Sequence, residues 1–146
     1  LIANSTGIGL QLNATTTVLS NTLTGNAGNA IVVASGVPSI HGNNLEFNSG
    51  MYVLVNNTAN ALDISGNWWG TSDAGVIDER TFDSDDDYTV SEVAHAPAAA
   101  GPIQDAPPYV RGVTVNPNPV GIQTGTFAVA FSRPMDIRTR IDRNGG

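Results

Sequence analysis

The acidic stretch DSDDD, residues 83–87, is the one group of side chains in this 146-residue sequence that suggests a metal site. It contains Asp83, Asp85, Asp86 and Asp87. Calcium binds six to eight oxygen ligands, and alternate carboxylates supply some of them. The loop pattern D-x-[DN]-x-[DN]-G is incomplete, because no glycine follows the acids. Calcium is therefore a candidate ligand, and the alternative is a solvated turn whose carboxylates cap backbone N–H groups.

Two adjacent tryptophans, Trp68 and Trp69, are the only tryptophans of the chain and lie in the stretch ISGNWWGTSDAG. In the repeat alignment described below, Trp69 replaces Leu45, so we expect its ring to point inward and close the core. Trp68 replaces Asn44 and should point outward. We expect it to pack under segment 75–90 with its indole N–H bonded there. The alternative role for Trp68 is a platform on which a sugar ring stacks.

Catalytic side chains are sparse in the repeats. Residues 1–79 contain neither Arg nor Lys, so neither residue type can act as a catalytic base there. A glycosidase needs two carboxylates facing one bond, whereas Glu46 and Asp63 are each the sole acid of their repeat. Glu46 lies between two apolar residues and is expected to face solvent. His41 and His95 are isolated in the sequence, so we assign no catalytic residue to this segment.

Composition narrows the classes of partner and the compartment. The formal net charge is −7 and lysine does not occur, which argues against nucleic acid or an anionic membrane as a partner. There is no cysteine, so disulfides and thiolate metal sites are excluded. No apolar run is long enough for a membrane helix, and no signal peptide is visible. Apart from the calcium candidate, no cofactor is expected. The composition suits an exported protein that meets neutral glycans or cell-wall material.

An internal repeat of about 22 residues organises the first part of the chain. VLSNTLTGNAGNAIVV aligns with IHGNNLEFNSGMYVLV, and a further unit begins at Ile64. The aligned pairs are Val18 with Ile40, Asn21 with Asn43, Leu23 with Leu45, Asn26 with Asn48, Ile31 with Val53, Val33 with Val55 and, at an offset of 23, Ile8 with Ile31 and Leu10 with Val33. A unit of this length is too short for a two-helix repeat or a propeller blade.

Each repeat carries short alternating apolar triplets between Asn-, Gly- and Ser-rich joints. Alternation with a period of two places one set of side chains on one face of a strand, and the joints suit tight turns. Strands of successive repeats should therefore pair in parallel. Asn21, Asn43 and Asn67 should then lie above one another, with their amides bonded along the stack.

The N-x-I/L-x-x-N rhythm, the NWWGT ending and the Asp-rich segment GVIDERTFDSDDDYTVSEVAHAP together resemble the C-terminal end of a right-handed parallel β-helix of the pectate-lyase-like superfamily. The resemblance covers residues 1–97. It implies an all-β fold, a single-stranded solenoid with a C-terminal cap. In enzymes of this superfamily an Arg or Lys acts as base, often with calcium, and neither residue type occurs in the repeats.

Residues 98–108 are Ala- and Pro-rich and are interpreted as a semi-rigid linker. Beyond them, alternating apolar residues predict two strands around a Pro-Asn-Pro turn. The motif FSRPMD after the second strand resembles the start of a bacterial immunoglobulin-like domain. Only residues 109–146 remain, too few for a seven-stranded sandwich, so the domain is interpreted as incomplete. Its exposed strand edges make self-association an open alternative.

Three functions remain open from the sequence. The favoured one is a non-catalytic segment of an extracellular or cell-surface protein, acting as a rigid stalk, an adhesion module or a platform that contacts polysaccharide or cell-surface glycans. The first alternative is the terminal part of a secreted polysaccharide lyase or glycoside hydrolase whose active site lies upstream. The second is a self-assembling fibre subunit. Fold analogy does not choose among them.

Overall fold

The computed structural model describes residues 1–116 and 126–135. The chain divides into two compact units, Leu1–Pro107 and a second that begins at Pro108. The elements, in chain order, are Ile2–Ala3 (β1), Leu10–Leu12 (β2), Thr17–Leu19 (β3), Leu23–Thr24 (β4), Ile31–Val33 (β5), Ser39–His41 (β6), Leu54–Asn56 (β7), Leu62–Asp63 (β8), Ala74–Asp78 (α1), Thr81–Phe82 (β9), Val93–Ala94 (β10), Val110–Asn116 (β11) and Thr126–Phe131 (β12). The fold is all-β, with one five-residue helix in the described part.

Parallel pairing between distant strands builds the first unit. A four-stranded sheet has the order β2-β5-β7-β9, and three two-stranded sheets join β1 to β4, β3 to β6 and β8 to β10. All of these pairs are parallel. Parallel partners need a long connection, and here the partners lie between 21 and 31 residues apart in the chain. Neighbouring repeats are therefore in direct contact along the backbone.

The core lies between these short sheets and is aliphatic. Leu23, Ile31, Ile40, Leu45 and Ile64 are fully buried. Strand β3 pairs with β6 so that Val18 lies beside Ile40, the offset that the alignment predicts. Burial of such side chains is the main stabilising contribution in a fold whose strands are only two or three residues long.

The register of the larger sheet differs from the predicted alignment. Ile31 pairs with Leu54, not Val53, and Leu10 pairs with Ile31, so that Ile8 lies outside the strand. The segment between Asn48 and β7 is one residue longer than the equivalent segment after Asn26. A shift of one residue exchanges the two faces of a strand. The side chains of β7 that align with the buried Ile31 and Val33 are therefore Leu54 and Asn56.

Glycines at the joints allow backbones of neighbouring repeats to approach closely. A Cβ atom on Gly50 would lie 2.4 Å from the carbonyl carbon of Gly28. The N–H of Gly28 in turn donates to the carbonyl oxygen of Gly7 at 2.9 Å. A side chain at position 50 would therefore collide with backbone atoms, which cannot move aside as the end of a flexible side chain can.

We expect Gly50→Ala to lower the free energy of unfolding by about 2–3 kcal/mol, because overpacking against backbone forces the repeats apart. Urea denaturation measures this change. Gly7→Ala is the matched control, since nothing lies within 4 Å of its added methyl group. Its effect should stay within about 0.5 kcal/mol. Equal losses in the two variants would show that the close approach of Gly50 to Gly28 does not matter.

The segment interpreted as a linker instead belongs to the first unit up to Pro107. Ala106 is fully buried. The side chain of Asn44 bonds both backbone groups of Ile103, accepting from its N–H at 2.7 Å and donating to its oxygen at 3.2 Å. Thr22 donates its hydroxyl to the Pro107 oxygen at 2.6 Å. Residues 102–107 therefore cover one face of the repeats, and we refer to them as the covering segment.

The second unit contains an antiparallel pair, β11 with β12, in which Val113 lies opposite Val129. The register shifts between Val110 and Gly112. Val113, Val115 and Val129 are exposed on this pair. The predicted Pro-Asn-Pro turn and the Arg-rich end lie outside the described residues. Among the described residues, no helix is both long and apolar enough to span a membrane.

Candidate functional site at the tryptophan repeat

The two tryptophans lie in the last full repeat. Trp69 is 7% exposed and belongs to the same core as Leu23 and Leu45. Its ring therefore lies inward, in the column that the alignment assigns to it. Its indole Nε1 is buried and has no hydrogen-bond partner among the described residues. Trp69 thus contributes chiefly by apolar packing.

Trp68 is half-buried, and its hydrogen-bond partner differs from the one predicted. Its indole N–H donates to Oε2 of Glu46 at 3.1 Å, not to segment 75–90. Its backbone forms a parallel bridge with Asn44, which in turn bridges to Thr22. This column was expected to face solvent. The covering segment instead bonds Thr22 and Asn44, and both are buried.

Glu46 is buried, with only 4% of its surface exposed, contrary to the expectation that it faces solvent. The cause lies in the next residue. Phe47 has φ 60°, in the left-handed region, so regular in-and-out alternation breaks at this point. Glu46 turns toward Trp68 and Phe47 is 64% exposed. A solvent-exposed aromatic ring is therefore present in this region, but it is Phe47.

The predicted asparagine column is the polar centre of the unit. Asn43 Oδ1 accepts from the N–H of Asn21 at 2.8 Å, and Asn67 Oδ1 accepts from the N–H of Asn43 at 2.9 Å. The Asn43 amide nitrogen donates to Asn67 Oδ1 and to the backbone oxygens of Val18 and His41. Asn43 and Asn67 are fully buried. These bonds satisfy backbone groups at the bend, where no strand partner is available.

A second column, which the alignment contains but to which it gave no role, runs parallel to the first. Asn48 Oδ1 accepts from the N–H and the amide of Asn26 at 3.1 and 2.8 Å. Asn26 Oδ1 accepts from the N–H of Ser5 at 3.0 Å. The Asn48 amide donates to the oxygens of Leu23 and Leu45. The two repeats that begin at Val18 and Ile40 therefore each have two polar positions held by asparagine.

A cleft of about 250 Å³ lies beside the tryptophan repeat. Apolar side chains from Leu45, Val53 and Trp69 line it, and helix α1 contributes Ile77. Arg80 also lines it, and its guanidinium Nη2 donates to the Asn48 oxygen at 2.8 Å. The helix begins at Asp73, whose carboxylate accepts from the N–H groups of the first turn.

The candidate calcium residues accept hydrogen bonds from backbone N–H groups of their own loop and of Val93, and from the Tyr52 hydroxyl. Asp83 is 7% exposed, and its two carboxylate oxygens accept from the N–H groups of Asp85 and Val93 at 3.0 and 2.8 Å. Asp86 accepts from the Tyr52 hydroxyl at 3.1 Å and Asp87 from the Thr89 N–H at 2.9 Å. Within residues 1–116 and 126–135, no three acidic or histidine side chains converge in a way that could hold a metal ion. These contacts are those of carboxylates that cap a turn.

Two of the carboxylates have lowered pKa values. The backbone N–H of Ser65 holds the pKa of Asp63 below its usual value of 3.8, and Thr89 does the same for Asp87. A carboxylate whose pKa is lower in the folded than in the unfolded state stabilises the fold at any pH above its unfolded-state pKa. This stabilisation is lost as the pH falls through the folded-state pKa.

We therefore expect Asp87→Asn to flatten the loss of stability below about pH 4, because this variant has no carboxylate to protonate there. The measurement is a series of urea midpoints between about pH 2 and 6. Asp63→Asn should flatten the same limb, and the double variant should flatten it more than either single one. Parallel pH profiles for wild type and double variant would contradict the assignment.

The two histidines lie apart. His41 ends β6, and its Nδ1 lies 2.8 Å from the Ser65 oxygen, to which it donates in the tautomer with a proton on Nδ1. His95 follows β10, and its Nε2 lies 3.4 Å from Oδ1 of Asp78. Neither contact brings a histidine to a nucleophile, so both interactions are structural in character.

Sequence reasoning did not identify Phe47 or Arg80 as members of a site. Phe47 aligns with Gly25 of the preceding repeat, whose φ is 64°, and this glycine was the sequence signal for a left-handed position. Arg80 could have been found, because it is the first Lys or Arg in the chain and follows ten residues after Gly70 of the NWWG motif.

Comparison with known proteins gives no match: no family model, curated protein or solved structure is similar to this chain. The class that the structure defines is all-β, built from short parallel strands in its first unit and an antiparallel pair in its second.

Proposed function

We propose that residues 1–97 are the last repeats and cap of a right-handed parallel β-helix, and that the chain is a non-catalytic, rigid segment of an extracellular or cell-surface protein. The observation that carries this proposal is the combination of parallel register with buried asparagine columns across three repeats. The hydrogen bonds between paired strands, and those from a backbone N–H to the asparagine Oδ1 of the next repeat, connect one repeat to the next. Bending the stack therefore breaks buried hydrogen bonds, which makes the stack stiff.

The lateral faces of such a stalk are available for weak polar contacts. Asn13, Thr15, Thr16 and Thr17 are exposed on the first repeat. Hydroxyl and amide groups pair with neutral glycan hydroxyls without any charge requirement. This composition supports the platform role. The second unit, which resembles a partial immunoglobulin-like domain, would serve as a spacer or attachment module.

Distance measurement between spin labels tests the stiffness of the stalk. The chain has no cysteine, so Thr16→Cys and Asp85→Cys introduce the only labelling sites. Both residues are exposed and lie in the first unit. The proposal expects one narrow distance distribution, and singly labelled variants provide the background. A broad or multi-peaked distribution in a folded sample would exclude a rigid stalk.

Assembly into a fibre is a second candidate, favoured by the strands of the first repeat. Within the described residues, strands β1, β2 and β3 each pair on one side only. Such edges are able to accept a further strand from another chain. Sedimentation over a concentration series distinguishes the two: a stalk segment stays monomeric, whereas a fibre subunit gains mass as concentration rises.

A further inference from the structure

The cleft beside the tryptophan repeat is bordered by a strained aromatic residue. Phe47 has φ 60°, which a bulky side chain rarely adopts, and it lines the cleft while remaining 64% exposed. The same backbone conformation costs glycine nothing. Strained residues of this kind concentrate at ligand sites. The chain therefore keeps an exposed ring at the edge of this cleft at a cost to stability.

A single cation lies in the same cleft. Arg80 is the only Lys or Arg among residues 1–110, whereas residues 1–107 contain eleven Asp and Glu. Its guanidinium makes one hydrogen bond in the described part of the chain, to the neutral backbone oxygen of Asn48. A guanidinium has five N–H donors, so the others remain for an anion. None of the acidic side chains that the structure describes forms an ion pair with Arg80.

The remaining lining sets the size and polarity of a ligand. The cleft of about 250 Å³ is smaller than a typical drug-sized pocket. Leu45, Val53 and Ile77 offer apolar contact. Trp69 also lines the cleft and carries a buried indole N–H with no acceptor among the described residues. The lining thus combines one positive charge, apolar walls and an aromatic ring.

We propose that this cleft binds a small organic acid, a single carboxylate on a flat apolar body. The carboxylate pairs with the Arg80 guanidinium, whose parallel N–H groups match two carboxylate oxygens. The flat body lies against the Phe47 ring and the aliphatic lining. One guanidinium balances one carboxylate, so a monoanion fits better than a phosphate. The site goes beyond the stalk role and does not depend on it.

The test titrates the full chain with 3-phenylpropionate and follows the indole N–H signals by NMR, which Trp68→Phe and Trp69→Phe assign. We expect a saturable shift of the Trp69 signal at millimolar concentrations. The neutral analogue 3-phenylpropionamide and the ringless acetate should each bind about tenfold more weakly, since each lacks one of the two contacts. Equal binding of the acid and its amide, or no saturable shift with the acid, overturns the proposal.

Variants separate the two contacts. Arg80→Gln should weaken binding of 3-phenylpropionate about tenfold, and Arg80→Lys should recover part of it. Phe47→Gly keeps the left-handed backbone without strain, so it should fold well and still bind weakly. Tyr88→Ala is the matched aromatic control, since Tyr88 is 94% exposed and does not line the cleft. If Arg80→Gln fails to fold, the comparison of acid and amide binding to the wild-type chain tests the charge contact, and Phe47→Gly tests the ring contact. Wild-type affinity in Phe47→Gly contradicts the proposal.

Discussion

Replacing Asn43 with alanine is expected to lower the free energy of unfolding by about 3–5 kcal/mol. The methyl group leaves the N–H of Asn21 without its acceptor at 2.8 Å. It also leaves the oxygens of Val18 and His41 without the amide donor. These groups lie at a buried bend, where water does not replace the lost partner without opening the stack.

Urea denaturation followed by circular dichroism measures this loss. Asn57→Ala is the matched control, because Asn57 is exposed and contributes to the stack through its backbone N–H, which donates to the Val33 oxygen at 2.9 Å. The control should change stability by no more than about 0.5 kcal/mol. If Asn43→Ala lowers the free energy of unfolding by less than about 1 kcal/mol, the asparagine columns do not contribute substantially to stability.

Truncating Trp69 to alanine is expected to cost about 3–5 kcal/mol, because it leaves a large void in the core that Leu45 and Ile77 line. The indole N–H makes no hydrogen bond in the described part of the chain, so Trp69→Phe should retain most of the stability. Thermal or urea denaturation of Trp69→Ala and Trp69→Phe measures both changes in stability.

Trp68 differs from Trp69 because its indole N–H does make a hydrogen bond. Trp68→Phe removes the hydrogen bond to the buried Glu46 carboxylate, at a cost of about 1.5–3 kcal/mol. We therefore expect Trp68→Phe to be more destabilising than Trp69→Phe, although Trp69 is the more buried residue. The reverse order would mean that Trp68 does not hold Glu46 in place.

The repeat was visible in the sequence because its corners are asparagines and its inward residues are aliphatic. The offset of 22 residues between Val18 and Ile40 is the register that the structure has. The offset failed in the larger sheet, because one additional residue follows Asn48 before the strand resumes at Leu54. Alternation alone does not reveal such an insertion, since both faces of β7 are apolar or buried.

The candidate site was harder to predict from the sequence than the repeat was. Burial of Glu46 accompanies the left-handed conformation of Phe47. The signal for that conformation lies in the alignment, because Phe47 aligns with Gly25, whose φ of 64° is nearly the same. The covering segment was misread for a related reason. Its Ala- and Pro-rich composition is typical of a linker, yet its backbone groups bond the side chains of Thr22 and Asn44. Backbone contacts of this kind carry no sequence pattern.

Strands of successive repeats pair in parallel, with Val32 between Gln11 and Val55. Nuclear Overhauser contacts between backbone protons of β5 and its two neighbours test this pairing most directly. We expect contacts from Val32 to Gln11 on one side and to Val55 on the other. Contacts from Val32 to residues nearby in the chain, in an antiparallel pattern, would contradict the parallel stack and the stalk proposal with it.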